Sequence, residues 1–211
     1  MINTGCNDAN PRGNGEKYKQ CCFKNSQTNQ AVGNKTGQSG LLEIALGHHQ
    51  TGNLLEAETI CLHALSLDQN DCNVLHLLGL LAFQNNKLEQ AVNFLNRAIS
   101  MNPLLYTVHF CLGNTYQAQG KLGQAICSYQ QALSLKPDYA EAHNNIGVAC
   151  KALGRLVNAL NHYNKAISLS PDFVEARNNL GNLYKDMDKP QLATACFNPA
   201  ILLKPEYAEK Q

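Results

Sequence analysis

The sequence predicts an all-α protein: a right-handed solenoid of five helix–turn–helix repeats behind a short irregular N-terminal segment. Three observations carry that reading. Glycine recurs every 34 residues at Gly79, Gly113, Gly147 and Gly181, with Ala45 in the same place of the first copy. Proline recurs at the same interval at Pro103, Pro137, Pro171 and Pro205. Alanine fills two columns, Ala57, Ala91, Ala125, Ala159 and Ala193, then Ala64, Ala98, Ala132, Ala166 and Ala200. A fixed period of this size marks an array whose units cannot bury their apolar faces alone.

The repeats run 38–71, 72–105, 106–139, 140–173 and 174–207. The first has the alanines but carries Gln69 where the others place proline. The second and third carry Leu78, Gly79 and Leu95, then Leu112, Gly113 and Tyr129. In the fourth, one helix is expected over roughly 141–152 and another over roughly 156–168. Ile146, Val148, Ala149 and Leu153 on the first, and Leu156, Leu160, Tyr163 and Ile167 on the second, follow helical spacing. Gly154 lies between them, where a helix end favours a residue that tolerates positive φ. Pro171 stops the second helix. The fifth repeat carries Leu180, Gly181 and Phe197, and also Pro199 inside its expected last helix, 190–203, where proline costs about 3 kcal/mol. Only Ala208–Gln211 follow the fifth repeat, too few for the polar cap a solenoid end needs. A kinked or frayed last helix and self-association through the uncapped repeat are therefore expected, with Ala193, Phe197 and Ile201 exposed.

These columns resemble the tetratricopeptide repeat (TPR) family over 38–207. No repeat has that family's tryptophan at its fourth position, which holds Leu41, Leu75, His109, His143 and Arg177.

Composition fits a thin double layer of helices: 44% hydrophobic and 7% aromatic residues in 211. No run of 18 apolar residues suggests a membrane span. Residues 1–37 carry a net +3 and the repeats −2, for +1 overall. Neither balance suggests nucleic acid or a membrane as partner. Nine cysteines, an odd number without a basic-then-apolar leader, argue for a reducing, cytoplasmic setting rather than a disulfide framework. Those inside the repeats read as small core hydrophobes.

The segment 10–22, NPRGNGEKYKQCC, resembles the SEC-C motif, a short zinc-binding hairpin. Pro11, Gly13, Gly15, Lys17, Tyr18, Lys19, Cys21 and Cys22 match, but Asn10 and Arg12 stand at two ligand positions. Structural zinc needs four ligands. Residues 1–23 are therefore expected to be a degenerate motif without bound metal, Cys6, Cys21 and Cys22 being the sulfurs any zinc would use. A polar linker is expected over 24–37.

No catalytic signature appears. Gly33-Asn34-Lys35-Thr36 lacks the order of a phosphate loop, and no G-x-S-x-G or H-E-x-x-H occurs. His109 and His143 share a repeat position, and His48-His49 point in different directions. The chain is expected to be no enzyme and to need no cofactor.

Function falls to one surface of the first helices. Leu42, Leu46, Leu77 and Leu80 are expected to form its apolar wall. Asn114, Asn144, Asn145, Asn178, Asn179 and Asn182, with Glu141 and Glu175, would line the rest. An amide donates and accepts at once, so an asparagine row can grip a peptide backbone whatever its side chains. The HNNIG and RNNLG segments, and the following GRLVNALNHYNKAISLSPDF, resemble the TPR superhelix of O-linked N-acetylglucosamine transferases. That resemblance implies an asparagine ladder on peptide backbone. Asn145 and Asn179 match it; Glu43, Leu77 and Cys111 do not. It also implies a catalytic domain after the repeats, and this chain stops at Gln211. A carboxylate clamp of the chaperone-binding kind would need Lys or Arg at positions two and six of one repeat, with Lys and Asn in a repeat two before. Glu175, Asn179, Phe110 and Asn114 stand there, so its cations are missing. The expected partner is thus a protein or extended peptide; the alternative is the substrate-binding part of such a transferase.

Overall fold

Residues 36–197 are described by a computed structural model. The SEC-C resemblance with Cys6, Cys21 and Cys22 lies outside the described residues, as do Pro199 and Ile201. Within them the chain forms ten α-helices and no strand: α1 Thr36–Thr51, α2 Leu54–Leu67, α3 Cys72–Gln84, α4 Leu88–Met101, α5 Tyr106–Ala118, α6 Leu122–Leu135, α7 Ala140–Ala152, α8 Leu156–Leu169, α9 Val174–Asp186 and α10 Pro190–Phe197. The all-α solenoid class is as expected. Two compact units divide at Gln119 and Gly120, the first holding α1–α5 and the second α6–α10.

In the first unit each helix packs on the next, and α3 also touches α1 and α5. Ala57, Cys61 and Ala64 of α2 are fully buried with Ala45, Val74, Leu77, Leu78 and Leu81. A second cluster joins Leu75, Leu95, Ala98, Val108, Cys111 and Leu112. The second unit repeats the plan, with α9 touching both α8 and α10 and also meeting α7.

In three of the helix pairs the glycine column marks a close approach. A Cβ on Gly79 would lie 2.6 Å from Leu95 Cγ, one on Gly147 2.6 Å from Tyr163 Cε1, and one on Gly181 2.6 Å from Phe197 Cζ. No side chain fits there without moving a neighbour. The alanine columns do the same work one layer over: Ala91, Ala125, Ala159 and Ala166 are wholly buried.

Each first helix ends on a residue of positive φ. Gly52, Gly120 and Gly154 hold it, and Asn86 (φ 58°) and Asp188 (φ 57°) take the same place in the second and fifth repeats. Around Gly154 the amide of Arg155 donates to the Cys150 carbonyl and that of Gly154 to Lys151, the paired bonds of a Schellman closure. Asn and Asp tolerate the left-handed region better than other side chains do, which lets them substitute for glycine.

At the other end of the hairpin, the fourth repeat position holds the proline turn. His109 Nε2 donates to the Pro103 carbonyl at 2.9 Å, His143 bonds the Pro137 carbonyl, and Arg177 bonds that of Pro171. Where Leu75 has no donor, Arg97 reaches across instead to the Gln69 carbonyl at 3.0 Å. The missing tryptophan is thus replaced by donors that cap an otherwise orphaned carbonyl.

The expected apolar wall is not a surface. Leu77 and Leu80 are 0% and 2% exposed, and Leu42 and Leu46 are half-buried against the first core cluster. Neighbouring helices cover these positions.

Candidate functional site

The second unit brings four of the expected site residues together on α7 and α9. Asn144 is fully buried. Its Nδ2 donates to Glu175 Oε1 at 3.0 Å and to Asn145 Oδ1 at 3.3 Å, and its Oδ1 accepts from Asn179 Nδ2 at 3.0 Å. Both amide protons and the carbonyl are therefore used. Asn144, expected to line a groove, is instead buried and bonds Asn145, Asn179 and Glu175. A buried amide is tolerated only with such partners. Above it Asn145, Asn179 and Asn182 are half-exposed, Asn178 and Glu175 are exposed, and Val148 is half-buried.

In the first unit Asn114 of α5 is only 6% exposed. It borders a closed cleft, without room for a water molecule, lined by Gly79, Leu80, Phe83, Leu95, Cys111 and Thr115. This is an apolar slot with one amide at its edge rather than an amide-lined track.

One positional rule links the helices of each unit, and the sequence reading did not anticipate it. The fifth residue of one repeat meets the sixth of the next, 35 positions on. In the second unit that rung is Asn144–Asn179; in the first it is His76 Nε2 and Cys111 Sγ at 3.4 Å, both buried. A parallel rung joins twelfth and thirteenth positions: His49 Nε2 with Gln84 Oε1 at 3.0 Å, and Lys151 Nζ with Asp186 Oδ2 at 2.8 Å. The signal was available, since 35 is the period plus one.

A second cluster lies between α7 and α8. His143 and His162 face each other with Nδ1 atoms 3.1 Å apart and ring centroids at 5.3 Å. Burial lowers the pKa of both. For His143 the proline-turn bond opposes that shift and Lys165 adds to it; for His162 the neighbouring His143 adds to it. Sequence spacing gave no hint of this pair, because the two residues are 19 apart across a turn.

Of the repeat cysteines expected in the core, Cys61, Cys111, Cys150 and Cys196 are buried, but Cys72 is half-buried and Cys127 exposed. Burial, with Asp71 and Glu58 nearby, pushes the Cys61 thiol up to about 12, and burial also raises Cys150 and Cys196. None of these is a poised nucleophile. Among the described residues no three His, Cys, Asp or Glu side chains converge as metal ligands, and no helix is long and apolar enough to cross a membrane.

The sequence matches the TPR repeat family over 79–120, 113–154 and 149–188, and a further tetratricopeptide repeat over 174–207. The chain belongs to the tetratricopeptide-repeat family. Tetratricopeptide arrays of the same fold are known among solved structures. A MamA crystal structure is 22% identical, with 79% of this chain and 97% of that one aligned at a TM-score of 0.69. MamA from Desulfovibrio magneticus RS-1, residues 41 to its end, is 18% identical at TM-score 0.71, covering 86% of this chain and all of that one. The Pseudomonas aeruginosa protein pilF is 16% identical at TM-score 0.70, covering 75% and 72%. No curated protein matches the sequence.

Proposed function

We propose that this tetratricopeptide protein is a protein-interaction scaffold whose second unit grips an extended peptide along Asn145, Asn178, Asn179 and Asn182. The observation that carries the reading is the buried Asn144. It fixes two half-exposed amides in orientation before any ligand arrives, and preorganisation lowers the entropic cost of binding. A main chain laid across them gains hydrogen bonds independent of its side chains. Exposed Glu175, held by Asn144, favours a basic side chain beside that track. In the first unit Asn114 is the polar edge of a tightly closed apolar cleft. Cys61, Cys111 and Cys150, which form no disulfide, support a cytoplasmic setting for this work.

The transferase reading, in which these repeats present substrate peptides to a catalytic domain, is carried by the HNNIG and RNNLG segments. A reading frame encoding such a domain next to this one would favour it.

The test is direct. A peptide selected from a random unstructured library against the full chain is titrated into the native protein and into the Asn145→Ala/Asn179→Ala variant. Each lost amide bond weakens binding by about 1 kcal/mol, so the double variant binds at least about tenfold more weakly. Equal affinity overturns the reading.

A further inference from the structure

We propose that His143 and His162 form a two-imidazole binding site for a borderline divalent transition-metal ion, with Zn²⁺ as the reference case. The spacing is the first argument. Two imidazole nitrogens each about 2.0–2.1 Å from one Zn²⁺ lie about 2.9 Å apart at a right angle and about 3.3 Å apart at the tetrahedral angle. The observed Nδ1–Nδ1 distance of 3.1 Å falls between those limits.

The second argument is the tautomer. His143 bonds the Pro137 carbonyl; with its Nδ1 turned to His162, we assign that bond to Nε2, the atom His109 uses on Pro103. That bond leaves the Nδ1 lone pair of His143 available and holds the ring, the role an outer partner plays for a metal-bound histidine. In the metal-free protein the proton between the rings therefore belongs to His162 Nδ1. Metal entry moves it to His162 Nε2 through solvent, so no net charge is lost. Burial favours the same state, since it disfavours the charged form of both rings.

Rigidity is the third argument. The rings project from α7 and α8, which meet at Gly147 and Tyr163 one turn away with no room for a methyl group. The one opposing group is Lys165, which adds a positive charge from α8 but is solvent-exposed. Among the described residues no third ligand approaches. The remaining positions go to water or to a carboxylate or imidazole of a bound partner. An all-nitrogen pair of this kind selects Zn²⁺, Ni²⁺ or Cu²⁺ over Mg²⁺ and Ca²⁺.

The experiment uses the full chain labelled with ¹⁵N, following the imidazole nitrogens by NMR as ZnCl₂ and, separately, MgCl₂ are added. Watching named rings separates this site from any thiolate site elsewhere in the chain. The expected result is a joint shift of both Nδ1 resonances with Zn²⁺ and none with Mg²⁺. The His162→Gln variant then shows the His143 shift only at tenfold higher Zn²⁺ or more, since even an outer-shell change costs a metal site that much. Silence of either ring in the wild-type protein at tenfold excess Zn²⁺, an equal response to Mg²⁺, or an unchanged His143 titration in the variant overturns the proposal.

Discussion

The first and second units place their helices on the same 34-residue register yet fill it with opposite chemistry. In the first, α3 buries nine residues in a row, Val74 to Ala82. In the second, α9 buries four of its thirteen. At the rung between fifth and sixth positions the first unit sets a histidine against a thiol, and the second sets amide against amide. Register alone determines where the contact falls; the side chains determine what it is worth. A thiol is a weak partner, so the first rung leans on the apolar packing around it. The amide rung satisfies every polar atom of Asn144 and presents two more amides outward.

The sharpest way to break that contrast is to give the second unit the chemistry of the first. Asn144→Leu fits the volume roughly but leaves Asn179 and Glu175 without the bonds they hold. Stranding partly buried polar groups costs about 1–3 kcal/mol. We expect a fall in urea midpoint of that size, localised by hydrogen exchange to α7 and α9. Peptide affinity should fall with it, because Asn145 and Asn179 lose their brace. A variant as stable as wild type would mean that the rung is ornamental.

How much of this could be read beforehand follows from the same contrast. The helix pairs, the glycine close approaches and the positive φ at Gly154 came from columns repeating at one period, and such columns survive because packing is identical in every copy. Asn86 and Asp188 broke the turn column in residue type while keeping its backbone. The burial of Asn144 was not visible, because adjacent residues on a helix differ by about 100° and only the approach of α9 selects which of Asn144 and Asn145 is covered. Leu77 and Leu80 misled for the same reason: their place on a first helix suggested a groove, and neighbouring helices closed over them. The His143–His162 pair depends on a crossing between α7 and α8 that no spacing encodes.

A smaller effect probes whether both units share one packing rule. Gly147→Ala puts a methyl 2.6 Å from the fully buried ring of Tyr163, and Gly79→Ala puts one 2.6 Å from Leu95. Overpacking costs about 1–3 kcal/mol, against which the helix gains up to about 1 kcal/mol from replacing glycine. Thermal unfolding should show a net loss in both variants. In the second unit, Gly147→Ala with Tyr163→Ala should cost less than the two single changes added together, because the ring that clashes is gone. Additive losses would show that the glycine column answers to something other than this contact.

The smallest expected effect separates the outer rungs. His49 is 1% exposed and bonds Gln84, whereas the Lys151 and Asp186 side chains are 30% and 52% exposed. A pair so open to water is screened and contributes about 0–1 kcal/mol. Asp186→Asn should therefore lower the unfolding midpoint only slightly at low salt, and the difference from wild type should vanish near 1 M salt, where the screening length is about 3 Å. His49→Leu should show much less salt dependence, since the His49 ring is shut away from solvent ions. If the Asp186→Asn penalty persists at high salt, the second rung acts through geometry, as the first does, and the two rows of contacts are one device rather than two.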